Sequence, residues 1–157
     1  MRLAAVATAG LSSRQRPKAL PAVPLASVQT SQDRHLIALA YQRAGRYPEA
    51  IEILTGLLRW HPRNAEYRKD LAICEYLSGR TEEAIRDLEQ SLRLDPGMLA
   101  AYQSLGAILE QRARPADALR LYRRALQVKG GSDPHIRGQI EDSLAALEAS
   151  SMGQGPR

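Results

Sequence analysis

The chain has 157 residues, a single cysteine, 4% aromatic residues and a formal net charge of +5. That length reads as one domain, a lone cysteine excludes an intrachain disulfide, and no run approaches the ~20 apolar residues of a membrane-spanning helix. The basic charge excludes less than it first suggests: all 17 acidic residues lie between Asp33 and Glu148, the same span holds 17 basic ones, and the excess is Arg2, Arg14, Arg16, Lys18 and Arg157. The positive field belongs to the two ends, so no nucleic-acid partner is expected for the part between them.

Residues 1–30 contain no Asp or Glu and are rich in Ala and Pro. Pro17, Pro21 and Pro24 argue against a long helix there. The stretch reads as a disordered basic leader or a linker. Its short apolar run Leu3–Leu11, following Arg2, also fits a weak export signal. A cytoplasmic location is expected, or a periplasmic or exported one if that run acts as a signal.

From Ser31 the chain repeats itself. Gly45, Gly79 and Ala113 are spaced by 34 residues, as are Pro62, Pro96 and Gly130, and Ala50, Ala84 and Ala118. Three consecutive units follow: 31–64, 65–98 and 99–132. The later helix of each unit carries one apolar stripe. It is Ala50, Ile51, Leu54, Leu57 and Leu58 in the first, Ala84, Ile85, Leu88, Ser91 and Leu92 in the second, and Ala118, Leu119, Tyr122, Ala125 and Leu126 in the third. These offsets lie along one side of a 3.6-residue helix. The earlier helix of each unit places small residues at Ala38, Ala72 and Gly106, where a neighbouring backbone can approach. Gly45 and Gly79 suit the left-handed residue that ends a helix, and Pro48 and Pro115 suit the first turn of the next.

Asp133 and Pro134 open a last helix over 133–149, with Ile136, Ile140, Leu144 and Leu147 on one face and Arg137, Gln139, Glu141, Asp142 and Glu148 on the other. Such a helix covers the open apolar side of the last hairpin, although Gly138 weakens it by roughly 1 kcal/mol. Residues 150–157 read as a flexible tail.

Helix pairs at a 34-residue period resemble the tetratricopeptide repeat family. The likeness covers residues 31–132, about two-thirds of the chain. It implies an all-α fold: a right-handed superhelical solenoid of three hairpins with a C-terminal capping helix. The departures are local. The family's early aromatic is Arg34, Arg68 and Tyr102 here, and its later tyrosine is Tyr41, Glu75 and Leu109.

The sequence offers no catalytic constellation. His35, His61 and His135 stand on distant elements, and none has a metal-type spacing to another His, Cys or carboxylate in the sequence. Cys74 reads as a small buried residue. Glu82, Arg86, Glu89 and Arg93 read as i, i+4 pairs on a solvated face. Gly130-Gly131 lacks the lysine of a phosphate loop, and there is no Gly-x-Ser-x-Gly turn. The expectation is a non-enzymatic protein with no cofactor and no metal.

The resemblance implies a concave groove lined by the earlier helices, which takes a protein partner's peptide or helix. Carried over by position, the lining is Gln32, His35, Leu36, Leu39, Gln42 and Arg43; Glu66, Lys69, Asp70, Ile73, Tyr76 and Leu77; and Ala100, Gln103, Ser104, Ala107, Glu110 and Gln111. Leu39, Ile73, Tyr76 and Leu77 form an apolar strip beside Arg43 and Lys69, suited to an amphipathic or extended peptide. The groove is alternatively filled by Ala19–Val28 of the same chain, or used between copies in a homo-oligomer. A structural spacer within a larger protein is the other reading. Asp70 opposes a carboxylate, so the clamp by which some members hold chaperone C-termini is not expected. Nineteen Arg against three Lys suggests a GC-rich, bacterial source.

Overall fold

The computed structural model describes residues 30–128 and 133–152. The leader 1–29, the third-unit end at Gly130 with Ser132, and the last residues 153–157 lie outside the described residues. Among the described residues there are seven α-helices and no strands. They are α1 (Ser31–Arg43), α2 (Tyr47–Trp60), α3 (Ala65–Leu77), α4 (Thr81–Leu94), α5 (Leu99–Gln111), α6 (Pro115–Gln127) and α7 (Pro134–Met152). The first helices begin at 31, 65 and 99 and the second at 47, 81 and 115, so the 34-residue step governs where each helix starts as well as which residues recur. No helix among the described residues is long and apolar enough to cross a membrane.

Local chemistry explains the starts and stops. Thr30 caps α1: its Oγ1 accepts from the Asp33 N–H at 3.0 Å, and Asp33 Oδ2 accepts from the Thr30 N–H at 3.3 Å. Asn64 Oδ1 accepts from the Tyr67 N–H at 2.9 Å and caps α3. Asp133 Oδ1 accepts from the N–H groups of His135 and Ile136, capping α7. Each hairpin turn is built alike. The carbonyls of Tyr41, Glu75 and Leu109 accept from the N–H groups of Arg46, Arg80 and Arg114 at 2.9, 2.8 and 2.9 Å. This six-to-one bond requires a left-handed residue between. Gly45 (φ 73°) and Gly79 (φ 89°) supply it, and Ala113 is held there too at φ 55°. The missing glycine therefore leaves the third turn intact but strained.

Two apolar clusters run along the stack. Leu54, Leu57, Leu71 and Cys74 belong to one, formed by α1, α2 and α3; Leu88, Leu105, Tyr122 and Ile140 belong to the other, which continues to α7. Burial, with Asp70 and Glu75 nearby, pushes the Cys74 thiol up to about 11, so it is a packing group rather than a nucleophile. The closest approach is at Gly106, where an added Cβ would lie 2.2 Å from the Tyr122 ring. Tyr122 is fully buried and donates to Glu110 Oε1 at 2.7 Å. Burial, then that bond, raises its phenol above the usual range.

The last helix departs from expectation in two respects. It runs to Met152, because nothing from Ser143 to Ser151 breaks a helix and Ser151 Oγ donates back to the Glu148 carbonyl at 2.7 Å. Arg137, expected on the solvent side, bonds the carbonyls of Leu126 and Val128 at 3.2 and 3.0 Å and so neutralises the C-terminal end of α6. Ile140 is fully buried.

Two stability measurements test this account. Ala113→Gly should stabilise the fold by about 1 kcal/mol, seen as a higher urea midpoint, because it relieves the left-handed strain. Gly106→Ala should cost about 1–3 kcal/mol, and less in a Tyr122→Leu background, where the obstructing ring is gone.

Candidate functional site

One face each of α1, α3 and α5, set by helical register, makes up the candidate surface. On α1 this face carries Gln32, Leu36, Leu39 and Arg43; on α3, Glu66, Asp70, Ile73 and Leu77; on α5, Ala100, Ser104, Ala107 and Gln111. Offsets of 0, 4, 7 and 11 keep each set on one side of its helix. Gln32, Arg43, Glu66, Ala107 and Gln111 are exposed, and Leu39, Ile73, Ala100 and Ser104 are half-buried. Leu36 and Leu77 are 59% and 46% exposed, which is high for leucine. The surface is bulky and apolar on α1 and α3 and small on α5.

Other predicted lining residues have internal partners. His35 and Asp70 are 8% and 4% exposed, and His35 Nε2 bonds Asp70 Oδ2 at 2.6 Å. The other oxygen of Asp70 pairs with Lys69 Nζ at 3.0 Å. Glu110 accepts from Tyr122. The Tyr76 hydroxyl donates to Gln111, and Gln103 donates to Gln139 on α7. Gln42 is half-buried. Asp70 is thus hydrogen-bonded by His35 and paired with Lys69 rather than presented as a bare charge.

Sequence reasoning missed one arrangement. His35, Glu66 and Asp70 each offer a donor atom, and these atoms lie within 4.8 Å of one another. Spacing along the chain could not reveal this, because His35 and Asp70 are 35 residues apart and meet only when α1 lies beside α3. The acidic pairs on α4 also differ from expectation: Glu82 pairs with Arg112 of the next hairpin at 3.0 Å, and Arg86 with Glu83 at 3.8 Å.

Two family models described as tetratricopeptide repeat match residues 37–97 and 78–134. The chain belongs to the tetratricopeptide repeat family. The TPR repeat-containing thioredoxin TTL4 of Arabidopsis thaliana is 33% identical over 66 residues, 42% of this chain and 10% of that protein. The small glutamine-rich tetratricopeptide repeat-containing protein 2 of Saccharomyces cerevisiae is 28% identical over 85 residues, 54% of this chain and 22% of that protein. The chain therefore spans a minor part of the curated relatives it matches. Among solved structures, the Sgt2 TPR domain from Aspergillus fumigatus superposes with a TM-score of 0.66 at 23% identity, covering 81% of this chain and 85% of that one. The type III secretion chaperone SycD of Yersinia enterocolitica, in complex with a peptide of the translocator YopD, gives 0.69 at 15% identity, covering 80% and 98%. At these identities the solved structures establish the fold alone: an all-α TPR solenoid.

Where the family's later tyrosine would stand, α3 of this TPR chain carries Glu75. It is 7% exposed, and its Oε2 has no partner among the described residues. Burial first, then the charge of Asp87, pushes its carboxyl up to about 7 against the pull of Arg80. A carboxyl raised in the folded state binds its proton more tightly there than in the unfolded chain. Stability should therefore fall as pH rises from about 4.5 through about 7. Glu75→Gln removes this loss: its urea midpoint should exceed that of the wild type by more at about pH 8 than at about pH 5.

Proposed function

We propose that this chain is a non-enzymatic interaction scaffold that holds an apolar-faced peptide or helix of a protein partner across α1, α3 and α5. The observation that carries the reading is the row Leu39, Ile73 and Ala107, one residue per hairpin at the same register, flanked by the exposed Leu36 and Leu77. Bulk on two helices and small side chains on the third leave room over Ala100, Ser104 and Ala107 for a partner's own large apolar groups. Arg43 at one edge and Glu66 at the other set a polarity along the face. Apolar anchors flanked by opposite charges suit recognition of an amphipathic segment through side-chain pockets. SycD, a structural neighbour, was solved with a peptide of its translocator, which supports the same use of the fold here. Asp70, buried and already paired, leaves no set of free cations at its position for a terminal carboxylate.

A random peptide library panned on the full chain tests this. Peptides with apolar residues at helical spacing should be enriched. Ala107→Arg should weaken their binding about tenfold or more with helicity unchanged, since the site is exposed and the new side chain fills the space over α5. Unaltered binding by Ala107→Arg would place the recognition surface elsewhere.

A further inference from the structure

We propose that His35, Glu66 and Asp70 form a binding site for one zinc ion between α1 and α3. The three donors come from two helices already fixed against each other. Glu66 and Asp70 are one turn apart on α3 and share a face, while His35 approaches from α1. The donor atoms lie within 4.8 Å of one another, and His35 Nε2 is 2.6 Å from Asp70 Oδ2. A tetrahedral ion with bonds of about 2.0–2.1 Å needs its ligand atoms about 3.3 Å apart, so shifts of roughly an ångström convert this cluster into a ligand set.

The surroundings prepare the ligands. His35 and Asp70 are more than nine-tenths buried. The imidazole packs against the Tyr67 ring, with centroids 4.7 Å apart. Lys69 holds Asp70 Oδ1 at 3.0 Å, which leaves Oδ2 as the oxygen facing His35. An outer partner that orients a ligating carboxylate is a regular feature of metal sites. Two carboxylates against one ammonium leave the cluster negative toward an incoming cation. One imidazole nitrogen with two carboxylates favours zinc over calcium or magnesium, which take oxygen ligands in larger number. Glu66 is exposed, so the ion enters from the solvent side and its fourth position is open to water. The site lies in the wall of the proposed groove but does not rest on that reading.

The test is calorimetric titration of ZnCl2 into the full chain after chelator treatment. One ion per chain should bind, with a rise in melting temperature. Glu66→Gln should weaken binding about tenfold or more. Its zinc-free form should stay folded, with a melting temperature within about 5 °C of the wild type, since the exposed Glu66 contributes only its charge to the first turn of α3. A His61→Ala/His135→Ala chain should bind as the wild type does. Absence of binding by the wild-type chain, undiminished binding by Glu66→Gln, or loss of binding in the His61→Ala/His135→Ala chain would each overturn the proposal.

Discussion

Each hairpin of this protein has an apolar stripe that it cannot bury by itself. α2 has Leu54, Leu57 and Leu58 buried, but α1 covers only part of them, and α3 of the next unit contributes Tyr67, Leu71 and Cys74 to the same cluster. The dependence passes along the chain until α7, whose Ile140 lies at the register occupied by Ala38, Ala72 and Gly106 in the hairpins. At those positions a small residue admits a second helix. At α7 there is no such helix among the described residues, and a large side chain fills the space instead. Stability in this architecture is a chain of neighbour contacts. A defect at Gly106 or Ala113 therefore weakens the interface that α7 must close.

Much of the fold was legible because the period acts on backbone geometry. The starts at 31, 65 and 99 and at 47, 81 and 115 follow from turn bonds that any sequence with a left-handed residue at the right place can make. Ala113 shows the limit: alanine disfavours the left-handed region, yet the third turn holds it there at φ 55°. Arg137 shows another. Helical periodicity assigns it to the polar face, but an arginine is long enough to reach the α6 carbonyls from there.

The candidate site was only partly legible, because register tells which residues share a face and not what their side chains bond. Leu36, Leu39, Ile73, Leu77 and Ala107 retain exposure. Glu110 instead meets Tyr122 from its own hairpin, and His35 meets Asp70 from the next. The His35–Glu66–Asp70 cluster was invisible for the same reason. Its members are unremarkable in the sequence and become a group only through inter-helix packing. Glu75 is the converse case. Its departure from the family tyrosine was plain, but the cost of a buried carboxyl with an unpartnered oxygen is a property of the packed state.

The polar bonds between first helices also bear on the shape of the surface they carry. His35 reaches Asp70, Tyr76 reaches Gln111 and Gln103 reaches Gln139, separations of 35, 35 and 36 residues against a repeat of 34. Each helix is thus tied to a position one or two residues further on in its successor. Asp70, Gln111 and Gln139 belong to α3, α5 and α7, so each polar tie crosses from one earlier helix to the next in the stack. Under the proposed reading, a segment lying across Leu39, Ile73 and Ala107 meets one anchor per hairpin. These ties lie outside the apolar clusters, so under the proposed reading breaking one of them leaves the fold in place and tells on the alignment of the anchors.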